Sequence, residues 1–197
     1  MKRIFLITTA VCLLVISANA QGVKPFNLYV GGGASLPNGD FSNEYKMGFH
    51  GSLGLGLNFG PGLQFVPKGE FHTFSADTDF LLEENDYTSV SGGTFNAILV
   101  GADLKFAPSV PALPLKPFFF GGGGWARLQP SDLDYENSLG QGTIIFAKQN
   151  KAYWNVGGGL NFGSNPAFSF FIQARYLSIS TDEIKYNVIP VTLGIKF

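Results

Sequence analysis

Two histidines, a serine and a carboxylate stand where a single hairpin would bring them together. If Phe59 lies opposite Leu63 across the GPG turn, paired positions sum to 122, which sets His50 across from His72 and Ser52 across from Glu70. All four then share one face. Imidazoles so placed could ligate a divalent metal, and a serine, a histidine and a glutamate within reach of one another are the parts of a hydrolase triad. The plain alternative is a satisfied polar network, which is the expectation taken here. His50 and His72 stand only as metal candidates, no catalytic residue is assigned, and no cofactor is called for. GGGGWA at 121–126 has the form G-x-G-x-x-A, but no helical periodicity follows to provide the N-terminus on which a pyrophosphate would rest.

Charged residues join the same face by alternation. Lys68, Glu70, Asp103, Lys105, Arg127 and Arg175 fall there, with Asn27, Tyr29, Asn58, Asn155, Asn161, Gln173 and Lys196. Cations and carboxylates gathered inside a narrow closed sheet predict a salt-bridged plug rather than a water-filled path. Glycine runs at 31–33, 121–124 and 157–159 fit the same picture, leaving room where large residues such as Trp125 and Tyr153 are expected to project inward.

The elements that position these residues are strands. Period-two alternation marks eight segments, at about 26–36, 47–59, 63–74, 94–106, 117–128, 152–162, 168–179 and 188–197. Their connections alternate between longer and shorter. This predicts an all-β chain, an eight-stranded antiparallel up-and-down transmembrane β-barrel with the long loops at one end. The third segment is the least regular, because Pro67 and Gly69 interrupt it.

Beside the short connections lie Phe26, Phe59, Phe65, Phe106, Phe118, Phe162, Phe168 and Phe197, one to each strand and all on the apolar parity. An outward apolar band edged by an aromatic girdle is what lipid requires. A soluble lipocalin-like barrel would need the reverse pattern, with an apolar cavity and charged outer faces. Closure is required as well, since lipid offers no partner to an unpaired strand edge.

Composition and the N-terminal segment agree with this. Gly 26, Phe 20 and a charged fraction of 14%, against a usual figure of about 25%, describe a chain with much surface unsuited to water. A net charge of -1 leaves no basic patch for nucleic acid. MKR, a short apolar run and Ala18-Asn19-Ala20 read as a cleaved export signal over residues 1–20, with the barrel over 21–197. Cys12, the single cysteine, falls inside that signal, so the barrel has no disulfide.

YVGGGASL, PFFFGGGGW, FFIQARYLSI and the terminal VTLGIKF resemble the small outer-membrane β-barrels of the OmpA/OmpX type over nearly the whole of 21–197. The resemblance implies outer-membrane location and both termini on the periplasmic side. It also implies that Val191, Leu193, Ile195 and Phe197 form the signal read by the barrel-assembly machinery. No segment follows Phe197 that would correspond to the peptidoglycan-binding domain of OmpA, so a cell-wall tether is not expected.

The long connections carry most of the acidic charge, from Asp40 and Glu44 through Asp77, Asp79, Glu83, Glu84 and Asp86 to Asp132, Asp134, Glu136, Asp182 and Glu183. Phe80, Leu81, Leu82, Tyr87, Leu133, Tyr135, Ile144, Ile145 and Phe146 are interleaved with them. The expected partners are outer-membrane lipid and lipopolysaccharide, together with an extracellular partner at the loops whose identity the sequence does not name. The expected role is structural or adhesive and non-enzymatic. A narrow pore for small solutes is the alternative, followed by a lipid-modifying hydrolase.

Overall fold

The computed structural model describes residues 26–78, 82, 89–108, 115–137, 140–163, 167–180 and 185–197. The export signal expected over 1–20 lies outside them, as do Asp79, Phe80, Leu81, Glu83, Glu84, Asp86, Tyr87, Asp182 and Glu183. Among the described residues the elements run β1 (Phe26–Asn38), α1 (Phe41–Glu44), β2 (Gly48–Gly60), β3 (Leu63–Ser75), β4 (Ser89–Gly92), β5 (Thr94–Phe106), β6 (Lys116–Pro130), β7 (Leu133–Asn137), β8 (Gly140–Ile144), β9 (Gln149–Phe162), β10 (Ser169–Ile179) and β11 (Tyr186–Lys196).

Eight of these strands close into an antiparallel barrel in the order β1-β11-β10-β9-β6-β5-β3-β2. The seam is β1 against β11, and it runs to the end of the chain: Phe197 and Leu28 exchange both backbone hydrogen bonds, at 2.9 and 3.2 Å. Closure removes the free edges that an open sheet would expose. The short strands β4, β7 and β8 form a separate three-stranded sheet at the long-loop end.

Alternation sets which side chains meet the outside. Leu28, Val30, Leu53, Leu55, Ile98, Val100, Leu104, Val156, Ile172 and Leu193 all face outward and are exposed. An apolar belt of this extent around a whole barrel is suited to hydrocarbon rather than water. At the short-turn end Phe26, Phe59, Phe65, Phe106, Phe168 and Phe197 are exposed on the same outer face, and Phe162 is half-buried there.

Phe118 departs from the expected girdle. It is completely buried inside the barrel, and its neighbour Phe119, 62% exposed, takes the outer position. The cause is register. PFFFGGGGW contains no alternation from which to read a face, and the pairing of Phe106 with Phe119 settles it, turning the odd-numbered residues of β6 outward. The same parity corrects two further expectations. Trp125 is 73% exposed on the outer face rather than projecting inward, and Arg127 is also exposed there rather than belonging to the lumen.

The irregular third segment is a full strand. Pro67 pairs with Ala102 of β5, while the ladder to β2 skips from Gly54–Lys68 to Leu57–Phe65, so the missing N–H of Pro67 falls in a gap where no bond is made.

Candidate functional site

An eight-stranded barrel is just wide enough for side chains to fill it. Here they do so in three layers. At the long-loop end the filling is apolar. α1 lowers Phe41, fully buried, into the mouth, where its ring meets Phe74 at 5.2 Å, Phe95 at 5.3 Å and Tyr186 at 5.0 Å, each near edge-to-face. Leu99, Leu128, Leu177, Ile179 and Val188 pack below. The expectation of a polar inner face holds for the middle and for Asn27, Asn58, Lys105 and Asn161 at the short-turn end, but not for the upper end, where a residue outside the strands supplies part of an apolar plug.

The middle layer holds the residues with chemistry. Pairing of β2 with β3 sets His50 opposite His72 and Ser52 opposite Glu70, with a register shift between Asn58 and Gly60 beside the turn. The two imidazoles stack at 5.1 Å with planes 18° apart. The serine between them is Ser35 of β1, not Ser52. Its Oγ lies 3.0 Å from Nδ1 of His50 and 3.0 Å from Nδ1 of His72. His50 Nε2 is 2.9 Å from Thr192 Oγ1, and His72 Nε2 is 3.2 Å from Glu70 Oε2.

These contacts fix a direction when both rings are neutral. A carboxylate only accepts, so His72 donates from Nε2 and its Nδ1 accepts from Ser35. Ser35 then accepts from His50 Nδ1, and His50 Nε2 accepts from Thr192. Every ring nitrogen is engaged. Sequence parity places Ser35 and Thr192 on inner faces, but only the closing of β1 onto β11 brings Thr192 to a ring on β2.

Glu70 links this chain to the ions. Arg175 grips it as a fork, with Nη1 2.6 Å from Oε1 and Nη2 on Oε2. Lys68 Nζ bridges Glu70 Oε1 at 3.1 Å and Asp103 Oδ2 at 2.6 Å, and Asn155 Nδ2 donates to Asp103 Oδ1 at 3.0 Å. Lys68, Glu70, Asp103 and Arg175 thus form one buried network, to which the structure adds His72 and Asn155. Arg127 takes no part in it. Lys105 is buried but sits apart, in the third layer at the short-turn end, where its Nζ lies 3.5 Å from the centre of the Phe118 ring and 4.4 Å from that of Tyr29. Phe120, Phe171 and Val66 complete that layer.

The inner glycines answer to these bulky neighbours. A Cβ at Gly159 would strike the Phe118 ring, one at Gly194 the Phe171 ring, and one at Gly101 the Tyr153 hydroxyl.

The site can hold protons in a defined order and hold charge in balance. Ser35, His72 and Glu70 have the connectivity of a nucleophile, a base and an acid, and Ser35 is 0% exposed. Among the described residues no group of three or more histidine, cysteine, aspartate or glutamate side chains is arranged to hold a metal ion. No helix among them is long and apolar enough to cross a membrane, which says nothing of strands.

A family model described as outer membrane protein beta-barrel domain matches residues 8–197. The chain is similar in structure to Neisserial surface protein A, with TM-score 0.60 and 12% identity over 88% of this chain and 96% of that one. A major outer membrane protein from Thermus thermophilus gives TM-score 0.51 and 12% identity over 88% and 99%. Ail, the attachment invasion locus protein of Yersinia pestis, gives TM-score 0.49 and 18% identity over 87% and 97%. At 12% identity the first two likenesses are of fold alone. No curated protein matches the chain in sequence.

Proposed function

Since the chain belongs to the outer membrane protein β-barrel domain family, we propose that it is a non-enzymatic barrel of the outer membrane whose closed body carries loops for structural or adhesive contact. The observation that carries this reading is that side chains block the lumen at both ends and in the middle. Phe41 and its aromatic neighbours occupy one mouth, the Glu70 network the middle, and Lys105 among Phe118, Tyr29 and Phe171 the other end. With the lumen blocked, contact with the surroundings falls to the long-loop end. There the sheet of β4, β7 and β8 stands beyond the barrel, followed by Ile145, 79% exposed, and Phe146, 40% exposed.

The same reading includes export by the signal at 1–20, assembly through Val191, Leu193, Ile195 and Phe197, and long loops directed outward among lipopolysaccharide. Two measurements test it. The refolded barrel in a planar bilayer should give no stable conductance. Bacteria expressing it should adhere to surfaces or to one another more than cells without it, and the combined Ile145→Ser and Phe146→Ser variant should lose that gain. A steady open channel with unchanged adhesion would establish the pore instead. Hydrolysis of lipid acyl esters that disappears in Ser35→Ala would establish the enzyme.

A further inference from the structure

We infer that the short-turn half of the lumen contains a binding site for a small monovalent anion of chloride size, seated between the ammonium groups of Lys105 and Lys68. The site goes beyond the proposed role in contact and closure, and it follows from how the interior distributes its charge.

Three cationic side chains, Lys68, Lys105 and Arg175, are enclosed in the barrel beside two carboxylates, Glu70 and Asp103. Arg175 and Lys68 take up both carboxylates, and Asn155 adds a further donor to Asp103. Lys105 is left over. It is 5% exposed, and the carboxylates nearby are bonded by other cations, so that Asp103 acts on the Lys105 ammonium only from a distance. Its contacts are ring faces, those of Phe118, Tyr29 and, at 5.8 Å, Phe171. Ring faces offset part of the lost hydration of a cation but accept none of its three N–H bonds well. Two further charges act on Lys105, the ammonium of Lys196 on the inner face of β11 and the carboxylate of Asp103, which is already bonded to Lys68 and Asn155.

A cavity of about 40 Å³ adjoins this ammonium, lined also by Lys68, Ser52 and Gln173, with Phe120 and Phe171 as walls. A cavity needs only about 10–15 Å³ by this measure to hold one water, so there is room for a larger monatomic ion. The lining is rich in donors that are not fully used. Lys68 Nζ meets two carboxylate oxygens, at 3.1 and 2.6 Å, and an ammonium has a third N–H to give. Ser52 Oγ reaches only the carbonyl of Gly31, at 3.4 Å, too long to be a strong bond. The Tyr29 hydroxyl is directed away, donating to Gln64 at 2.6 Å. Glu70 and Asp103 also border the cavity and repel an anion, but each is held by cations of its own. The remaining charge is positive. In a medium of low dielectric an unpaired charge is costly, and a small anion drawn from the solution at this position removes the imbalance.

Bromide serves as the probe, because it substitutes for chloride and is located by anomalous scattering. Crystals of the wild-type barrel grown in bromide should show one anomalous peak in this cavity, and crystals of Lys105→Met should show none there. Unfolding temperature should be a few degrees higher in chloride than in an equal ionic strength of a large organic anion such as gluconate, and Lys105→Met should lose that difference. Gln173→Leu, which keeps all the charges, should weaken the chloride dependence without removing it. A cavity in wild-type crystals that holds only water would overturn the proposal. So would a chloride effect of equal size in wild type and Lys105→Met, since that would be a general salt effect rather than a site.

Discussion

Arg175 of β10 holds both carboxylate oxygens of Glu70 on β3, across the full width of the barrel, and Lys68 shares the same carboxylate at 3.1 Å. The pair ties together strands that are not neighbours in the sheet. Removing the acid leaves the guanidinium buried and unpaired. Glu70→Ala should therefore destabilise the barrel by about 3–5 kcal/mol, measured by urea unfolding in detergent micelles. Replacing Glu70 and Arg175 together with apolar residues of similar size should cost much less, because no stranded charge then remains. Equal losses for the single and double variants would mean that packing, not charge pairing, sets the effect.

Ser35 makes its prediction through two rings at once. Its hydroxyl is the common partner of Nδ1 in His50 and His72, so Ser35→Ala leaves a donor and an acceptor unmatched in a buried site. The expected loss is about 1–3 kcal/mol. Ser52→Ala should cost less, since Ser52 makes only a long contact to Gly31. Unfolding midpoints of the two variants, measured side by side, check the order.

The parity of β6 can be read from a pair of adjacent residues. Phe118 is enclosed against Gly159 and Lys105, whereas Phe119 faces outward. Phe118→Ala should lower stability by about 3–5 kcal/mol, as for a large core aromatic. Phe119→Ala should have a clearly smaller effect. Reversed magnitudes would place β6 one residue out of register.

Phe197 closes the seam with Leu28 through backbone atoms, which a change of side chain does not remove. Phe197→Ala loses the transfer energy of one exposed girdle aromatic, at most about 1.5–3 kcal/mol. The purified variant should therefore refold in detergent, while the amount of heat-modifiable barrel in outer-membrane fractions falls. Normal amounts in cells would argue that Phe197 is only a strand residue and not part of an assembly signal.

Much of the architecture is legible in the residues alone, and the reason is the period of a strand. Where polar and apolar residues alternate, as in Leu53 to Phe59 or Ile189 to Phe197, each residue names its own face, and the lengths of the connections order the strands. The GPG turn sets His50 against His72 because a tight hairpin leaves little freedom of register. PFFFGGGGWAR carries no such information. With three adjacent aromatics followed by four glycines, either parity is consistent with the sequence, and the structure puts Phe118, Trp125 and Arg127 on the face opposite to the expected one.

Local alternation and turn chemistry are enough to specify the barrel, its inverted polarity and most of the side chains that enter the lumen. Which of those side chains touch depends on closure. Ser35 meets His72, Thr192 meets His50 and Arg175 meets Glu70 because the sheet closes on itself and curls to a width that side chains span, and no local pattern encodes a distance across a closed interior. The same closure drew Phe41 from a loop into the mouth. It also left Lys105 against ring faces while the nearby carboxylates are bonded by Lys68 and Arg175, because the balance of charge in a lumen is set by which residues the walls bring together and not by how many of each the chain contains.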